Sequence, residues 1–303
     1  KILEVRAENP AWGGLKIKSE LERRGETGIP SARTCGSILK RNGLILPEES
    51  LKHQPYRRFE RECCNSLWQT DFKGDFLLGD RSRCFPLDIL DDHARFCIRA
   101  EPKSAASGVK ETFLSAFEEY GLPDSVLSDN GSQFSGFRGG YTQFERWLMD
   151  LDILPIHGRI RHPQTQGKIE RFHRTMKQEL LRSVPEDLAD AREKFALWRW
   201  KYNNIRPHAA LGMKPPAQVY TPSSRVLFVP QPYEYDGCVR KVNSWGYLRF
   251  GPIQVYLSET MADTYLEIRP GEQDTFVVCY RNFQIATIDA ATGKLLNRTI
   301  RRL

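Results

Sequence analysis

The chain has 303 residues, 40% hydrophobic and 27% charged, with a formal net charge of +7 and a pI near 9.0. This composition fills ordinary cores across two or three domains and excludes a disordered chain. No apolar run approaches the ~20 residues that span a bilayer, no signal-peptide pattern opens the chain, and the basic surplus suits a polyanionic partner.

In chain order, residues 1–46 are expected to form a helix-turn-helix DNA-binding domain. The first helix runs from Gly13 to Arg24 with Leu15, Ile17 and Leu21 as its apolar positions, and Gly25, Gly28 and Pro30 break it. Ser31 can cap a second helix that carries Ile38 and Leu39 and stops at Gly43. In such motifs the second helix enters the major groove, which makes Arg33, Thr34 and Lys40 candidate DNA contacts. A plain helical hairpin fits this segment equally well. Residues 47–64 are polar and basic and read as a linker.

Residues 65–204 mix strands and helices. Strand-like runs cover 67–76, 84–90 and 95–100, with Trp68, Thr70, Phe72 and Phe76 alternating against polar neighbours and Asp71 midway along the first run. A helix near 105–120 carries Val109, Phe113 and Phe117. The strand 125–129 follows, then a Gly-rich loop, a helix near 141–151 and a short strand at 153–156. Thr165 can cap a helix with Ile169, Phe172, Met176 and Leu180 on one stripe. A last helix, 186–204, carries Leu188, Phe195, Trp198 and Tyr202 on one face, and both Trp198 and Trp200 are expected to pack. The whole is an α/β layer with a mixed sheet.

Residues 205–235 hold six prolines and read as an extended linker. From 236 to 292, turn signals at Asp236-Gly237, Trp245-Gly246, Gly251-Pro252, Pro270-Gly271 and Arg281-Asn282 separate short strand-like runs. That rhythm predicts a small antiparallel β-barrel, followed by a basic tail at 293–303. Arg240, Lys241 and Arg249 would give it a cationic surface. The seven cysteines include no Cys-x-x-Cys pair and read as reduced thiols of a cytoplasmic protein. The first residue is Lys1, so a further N-terminal segment is expected.

Three acids stand out by position. Asp71 lies on a strand, Asp129 ends one beside Asn130-Gly131, and Glu170 opens a basic helix. Hard carboxylate oxygens suit Mg²⁺, and two such ions can stabilise the attacking and leaving oxygens of a phosphoryl displacement. Asp75, Asp88, Asp91, Asp92 and Asp124 are rivals by residue type. Asp91 and Asp92, beside His93, fit a turn better than a metal site, and His157 and His162 fit structural or DNA-backbone roles better than ligation. Between residues 158 and 182, Lys168, Arg171, Arg174 and Lys177 belong to a basic run beside Glu170. Cations there would meet DNA phosphates, and Asn130 is a further candidate DNA contact.

The ordered motifs Trp12-Gly13-Gly14-Leu15-Lys16-Ile17, Arg58-Phe59-Glu60-Arg61, Leu67-Trp68-Gln69-Thr70-Asp71-Phe72-Lys73-Gly74, Leu90-Asp91-Asp92-His93, Ser128-Asp129-Asn130-Gly131, His162-Pro163-Gln164-Thr165-Gln166-Gly167, Glu170-Arg171-Phe172-His173-Arg174 and Tyr202-Asn203-Asn204-Ile205-Arg206-Pro207-His208 span nearly the whole chain. Together they resemble bacterial insertion-sequence transposases with a DDE integrase catalytic core, in the retroviral-integrase superfamily. The resemblance implies an RNase H-like core with Asp71, Asp129 and Glu170 as catalytic metal ligands for two Mg²⁺ ions, replaceable by Mn²⁺. It implies cleavage and strand transfer on transposon-end and target DNA by a homodimer or larger assembly, with no membrane involved and a nucleoid-associated location. A structure-directed nuclease and a domesticated DNA-binding regulator are the alternatives. The 40 residues between Asp129 and Glu170 exceed the family's usual spacing, and the surplus fits the loop from Phe134 to Tyr141.

Overall fold

In the computed structural model, which describes residues 1–45, 61–129, 134, 136, 140–158 and 167–303, hydrophobic spacing decides most elements. Three helices open the chain: α1 (Ile2–Glu8), α2 (Gly14–Arg23) and α3 (Ala32–Arg41). The strands β1 (Trp68–Phe72), β2 (Phe76–Leu77), β3 (Arg83–Asp91) and β4 (Cys97–Lys103) precede α4 (Val109–Tyr120). Then come β5 (Ser125–Ser128), α5 (Gln143–Asp150), β6 (Leu154–His157), α6 (Gly167–Glu179) and α7 (Leu188–Asn204). Eight further strands follow: β7 (Cys238–Lys241), β8 (Tyr247–Phe250), β9 (Ile253–Tyr256), β10 (Tyr265–Pro270), β11 (Thr275–Tyr280), β12 (Phe283–Asp289), β13 (Leu295–Asn297) and β14 (Arg301–Arg302).

Two compact units share these elements. One contains Lys1–Cys64, Phe72–Ala106 and His162–Thr221, and the other contains Asn65–Asp71, Ser107–Arg161 and Pro222–Leu303.

In the first unit, Val5, Trp12, Ile17, Leu21 and Leu39 form the core of the N-terminal helices. Ser31 caps α3 by accepting from the Thr34 N–H at 3.1 Å. The sequence pattern misses α1 because its seven residues bury only Val5. The expected strand 67–76 also breaks in two, because Gly74 adopts φ +87° between β1 and β2. Asp71 therefore lies at the penultimate position of β1 rather than midway along a strand. The strands β2, β3 and β4 pair antiparallel.

Leu90 and Cys97 pack with Phe172 and Met176 of α6 and with Phe195, Trp198 and Tyr202 of α7. Trp200 departs from expectation. It is 55% exposed, because two residues turn a helix by ~200° and carry it off the Trp198 stripe. The span 205–221 is likewise not an extended linker. It makes two 3-10 turns at Ala209–Leu211 and Pro216–Gln218, buries Arg206, Pro207 and His208, and stacks Tyr220 on Phe96 with ring centroids 4.2 Å apart.

The side chain of Asn203 on α7 accepts from the Cys97 N–H at 2.8 Å and donates to the Cys97 carbonyl at 3.0 Å. Asn203→Ala leaves both backbone groups buried and unpaired, so a loss of about 2–4 kcal/mol is expected. The midpoint of urea unfolding measures it, and a shift below about 0.5 kcal/mol, the ordinary surface value, would refute the bridging role.

In the second unit, β1 pairs parallel with β5, and β5 with β6. The four residues of β5 are all buried, as a parallel strand covered on both faces requires. Trp68, Phe113, Phe117, Phe144 and Trp147 build an aromatic layer against it, with neighbouring ring centroids 4.9–5.9 Å apart. The chain thus combines antiparallel and parallel strand pairing with helices, an α/β architecture.

Beyond residue 235 every predicted turn falls between strands or just before one. The hydrogen-bonded order is β13-β12-β11-β10-β7, with β14 also on β12, and β8 pairs with β9 as a separate hairpin. This is an antiparallel sheet with an accessory hairpin, which an antiparallel bridge between Val242 and Leu248 joins to the end of β7. The expected tail contributes β13 and β14, so its first ten residues belong to the sheet's neighbourhood rather than trailing from it.

Tyr141, at the end of the Gly-rich loop, is 3% exposed within the core of this C-terminal sheet. Its N–H donates to Ser258 Oγ at 3.1 Å, and its hydroxyl donates to the Ile285 carbonyl at 2.5 Å. Tyr280 and Arg281 both bond Asp150 of α5, at 2.6 and 2.7 Å.

Candidate active site

Parallel pairing sets the first two acids side by side. Trp68 lies opposite Val126 and Gln69 opposite Leu127, and by that register Asp71 falls level with Asp129. Both are half-buried, at the carboxyl ends of adjacent parallel strands. In open α/β sheets ligands bind beyond that edge. Neighbouring strands are ~4.8 Å apart, so carboxylates at one level are near enough to share a cation.

A half-buried His157–Glu145 pair stands beside Asp129. Thr142 and Glu145 form a reciprocal capping box at the start of α5. The other Glu145 oxygen bonds His157 Nε2 at 2.7 Å. His157 ends β6 and pairs in register with Ser128, the residue before Asp129. The hydrogen bond to Glu145 holds the imidazole above its ordinary pKa against the opposing effect of burial, and the Glu145 charge, the Asp129 backbone and the Asp129 charge add to it. Sequence reasoning gave His157 a structural or DNA-backbone role and did not single out Glu145. The Thr142-x-x-Glu145 capping pattern was the available signal.

Glu170 is exposed in the first turn of α6, where the helix dipole favours a carboxylate. Ile169, Phe172, Thr175 and Met176 face inward. That rotation leaves Glu170, Arg171, Arg174 and Lys177 exposed, an acid within a basic surface. Arg33, Thr34 and Lys40 are exposed on α3, although the Thr34 hydroxyl contacts Ser31 Oγ at 2.9 Å. Lys168, the other candidate DNA contact of this run, has its ammonium on the buried Asp92 carboxylate at 2.5 Å. Asn130, His162 and Thr165 lie outside the described residues.

The rival acids have structural partners. Asp75 pairs with Arg83, Asp88 with His173 at 2.9 Å, and Asp124 with Arg225 at 3.3 Å. Asp91 closes a turn by accepting from the Ala94 N–H at 2.6 Å. Burial raises the pKa of Asp88, which the His173 hydrogen bond opposes. Among the described residues no group of three His, Cys, Asp or Glu side chains is gathered to hold a metal ion. The donor set still fits a hard cation, since Asp71 and Asp129 offer carboxylate oxygens at one level.

Family models described as the integrase core domain match residues 61–163 and 151–216, together more than half of the chain. The chain belongs to the integrase-core family. Among its relatives are insertion-sequence transposases, in the superfamily of the retroviral integrases. An insertion element IS476 protein of Xanthomonas euvesicatoria is 32% identical over 157 residues, which cover 51% of this chain and 44% of that protein. Transposase InsD of insertion element IS2 from Escherichia coli is 29% identical over 235 residues, covering 72% of this chain and 76% of that one. The matched stretch thus spans under half of the first relative and about three quarters of the second. The HTLV-2 integrase catalytic core, solved with magnesium, aligns with a TM-score of 0.41 and 18% identity over 53% of this chain and 99% of its own. Among the described residues of this integrase-core chain, no helix is long and apolar enough to cross a membrane.

Proposed function

We propose that this chain is a DDE-type transposase that cleaves the 3′ end of an insertion sequence and joins it to target DNA. The observation that carries this reading is the level placement of Asp71 and Asp129 at the ends of adjacent parallel strands in an integrase-core chain. Asp71, Asp129 and Glu170 would hold Mg²⁺ or Mn²⁺, which when bound supplies Lewis-acid stabilisation of charge on phosphoryl oxygens. The reaction is two displacements. A water oxygen bonds phosphorus and the element's 3′ oxygen leaves as a hydroxyl. That hydroxyl then bonds a target phosphorus, and a second 3′ oxygen leaves. Arg171, Arg174 and Lys177 neutralise the incoming backbone. The RNase H-like core would be served by α2 and α3 as an end-reading helix-turn-helix with Arg33, Thr34 and Lys40 toward bases. The C-terminal sheet would supply further DNA contacts. Two ends must be handled together, so the working form would be a dimer or larger.

Incubating the full chain with labelled end DNA, a target duplex and Mg²⁺ or Mn²⁺ tests the reading. Joined products are expected. Cleaved ends that are never joined would replace it with the nuclease reading, and binding with neither cleavage nor joining would leave the DNA-binding regulator. End-DNA affinity is also expected to fall by ~10³–10⁵ between about 50 and 200 mM salt, as six to ten phosphate contacts require. A flat titration would remove the proposed basic face.

A further inference from the structure

The acids of Leu90-Asp91-Asp92-His93 have no part in the reaction proposed above, yet both are fully buried. Asp91 closes the turn after β3. Asp92 Oδ2 instead accepts from the Arg61 N–H at 2.9 Å and from the Lys168 ammonium at 2.5 Å. The same ammonium donates to the Asp92 carbonyl at 3.1 Å. His93 Nδ1 lies 2.9 Å from the Arg61 carbonyl, bracing the other side of the turn.

Lys168 is 15% exposed on its side chain and Asp92 0%. Such a pair costs about as much in lost hydration as its attraction returns, so its main effect is on geometry, not net stability. Lys168 lies in the first turn of α6, two residues before Glu170, and its pair with Asp92 is a well-buried cationic tether of that turn. Midway along the helix, His173 meets Asp88 of β3 at 2.9 Å. Two contacts thus fix how α6 is rotated over the strand and its following turn.

We infer that Lys168 and Asp92 are positioning residues for Glu170: their buried pair fastens the first turn of α6 to the turn after β3 and aims the Glu170 carboxylate. This rests on reading Glu170 as a metal ligand. It also removes Lys168 from the DNA contacts.

Asp92 decides between the two roles, since its buried carboxylate cannot reach a phosphate. Full-length Asp92→Asn, Lys168→Met, their combination and Lys168→Arg are compared with wild type by three measurements. These are Mn²⁺ binding by electron paramagnetic resonance without DNA, amide exchange over 167–172, and the salt dependence of end-DNA binding. Each single change is expected to weaken Mn²⁺ binding about 10–100-fold, as loss of a ligand's support does. The double variant should be no worse than either single one, because both remove one interaction. Exchange should quicken over 167–172 while other core amides keep their protection, Lys168→Arg should recover part of the Mn²⁺ affinity, and the salt slope should stay unchanged.

A Lys168→Met variant whose salt slope falls by about one, beside an Asp92→Asn variant that matches wild type in Mn²⁺ binding and exchange, would make Lys168 a DNA contact and overturn the inference. Should Asp92→Asn fail to fold, Lys168→Met against Lys168→Arg decides by the same exchange and Mn²⁺ readouts. Wild-type protein that binds no Mn²⁺ overturns the ligand reading of Glu170. Unchanged exchange in the variants overturns the fastening itself.

Discussion

Asp129→Asn is expected to reduce both end cleavage and joining by about 10³-fold while leaving end-DNA binding and folding near wild type. The substitution keeps the size of the side chain and an oxygen acceptor but removes the charge. If the carboxylate holds a cation that stabilises transition-state charge, its loss forfeits several kcal/mol of barrier lowering, and ~4 kcal/mol is ~10³ in rate. Single-turnover assays on pre-cleaved and uncleaved ends measure the two steps separately. Asp124→Asn is the control, because Asp124 lies at the start of the same strand but on the surface, paired with Arg225. Its rates should not move. Equal joining by wild type and Asp129→Asn would sink the metal-ligand assignment, whereas loss of joining alone would confine Asp129 to the second displacement.

The largest expected effect of pH on stability belongs to His208. Burial and the positive charges of Arg206, Lys16 and Arg95 push its pKa down to about 2, so the folded chain keeps it neutral. Its Nε2 faces Arg206 Nη1 at 3.2 Å, a partner that a neutral ring can accept from and a protonated one cannot. The unfolded chain, with an ordinary histidine pKa of about 6.5, takes up a proton on acidification that the folded chain refuses. Stability therefore rises with pH through this window: lowering the pH from about 7.5 to 5 should cost roughly 2 kcal/mol from this residue alone. Urea unfolding of wild type and His208→Gln at both pH values isolates the contribution. The wild type should lose about 2 kcal/mol more than the variant, and equal losses would show that His208 protonates freely in the folded state.

Local signals in the sequence were strong wherever one physical rule dominated. Ser31 capped its helix, Phe113 and Phe117 turned inward at helical spacing, and the Gly- and Asn-containing turns of the C-terminal region fell at strand boundaries. Asp71 and Asp129 were legible as strand acids, but their alignment depends on pairing between strands far apart in sequence, which no local pattern encodes. The partners of Lys168 and His157 were out of reach for a related reason. A basic residue in a basic run looks solvated until the buried acid that meets it, 76 or 12 residues away, is placed. Trp200 shows the opposite error: aromatic character argued for burial, and helix phase overruled it.

Tyr141 gives the Gly-rich insertion a meaning beyond spacing. Its ring is enclosed by strands that begin a hundred residues later, and Asp150 is held by Tyr280 and Arg281. Residues 107–161 and 222–303 accordingly fall in one compact unit. A fragment ending near residue 235 would strip Tyr141 of its enclosure and leave the Asp150 carboxylate without two donors, at the end of the helix that also carries Glu145. The catalytic-core boundary drawn from sequence motifs is therefore not a cutting line. This half of the chain should melt as one cooperative block, and its carboxyl-terminal sheet would act as a folding partner of the strand that delivers Asp129.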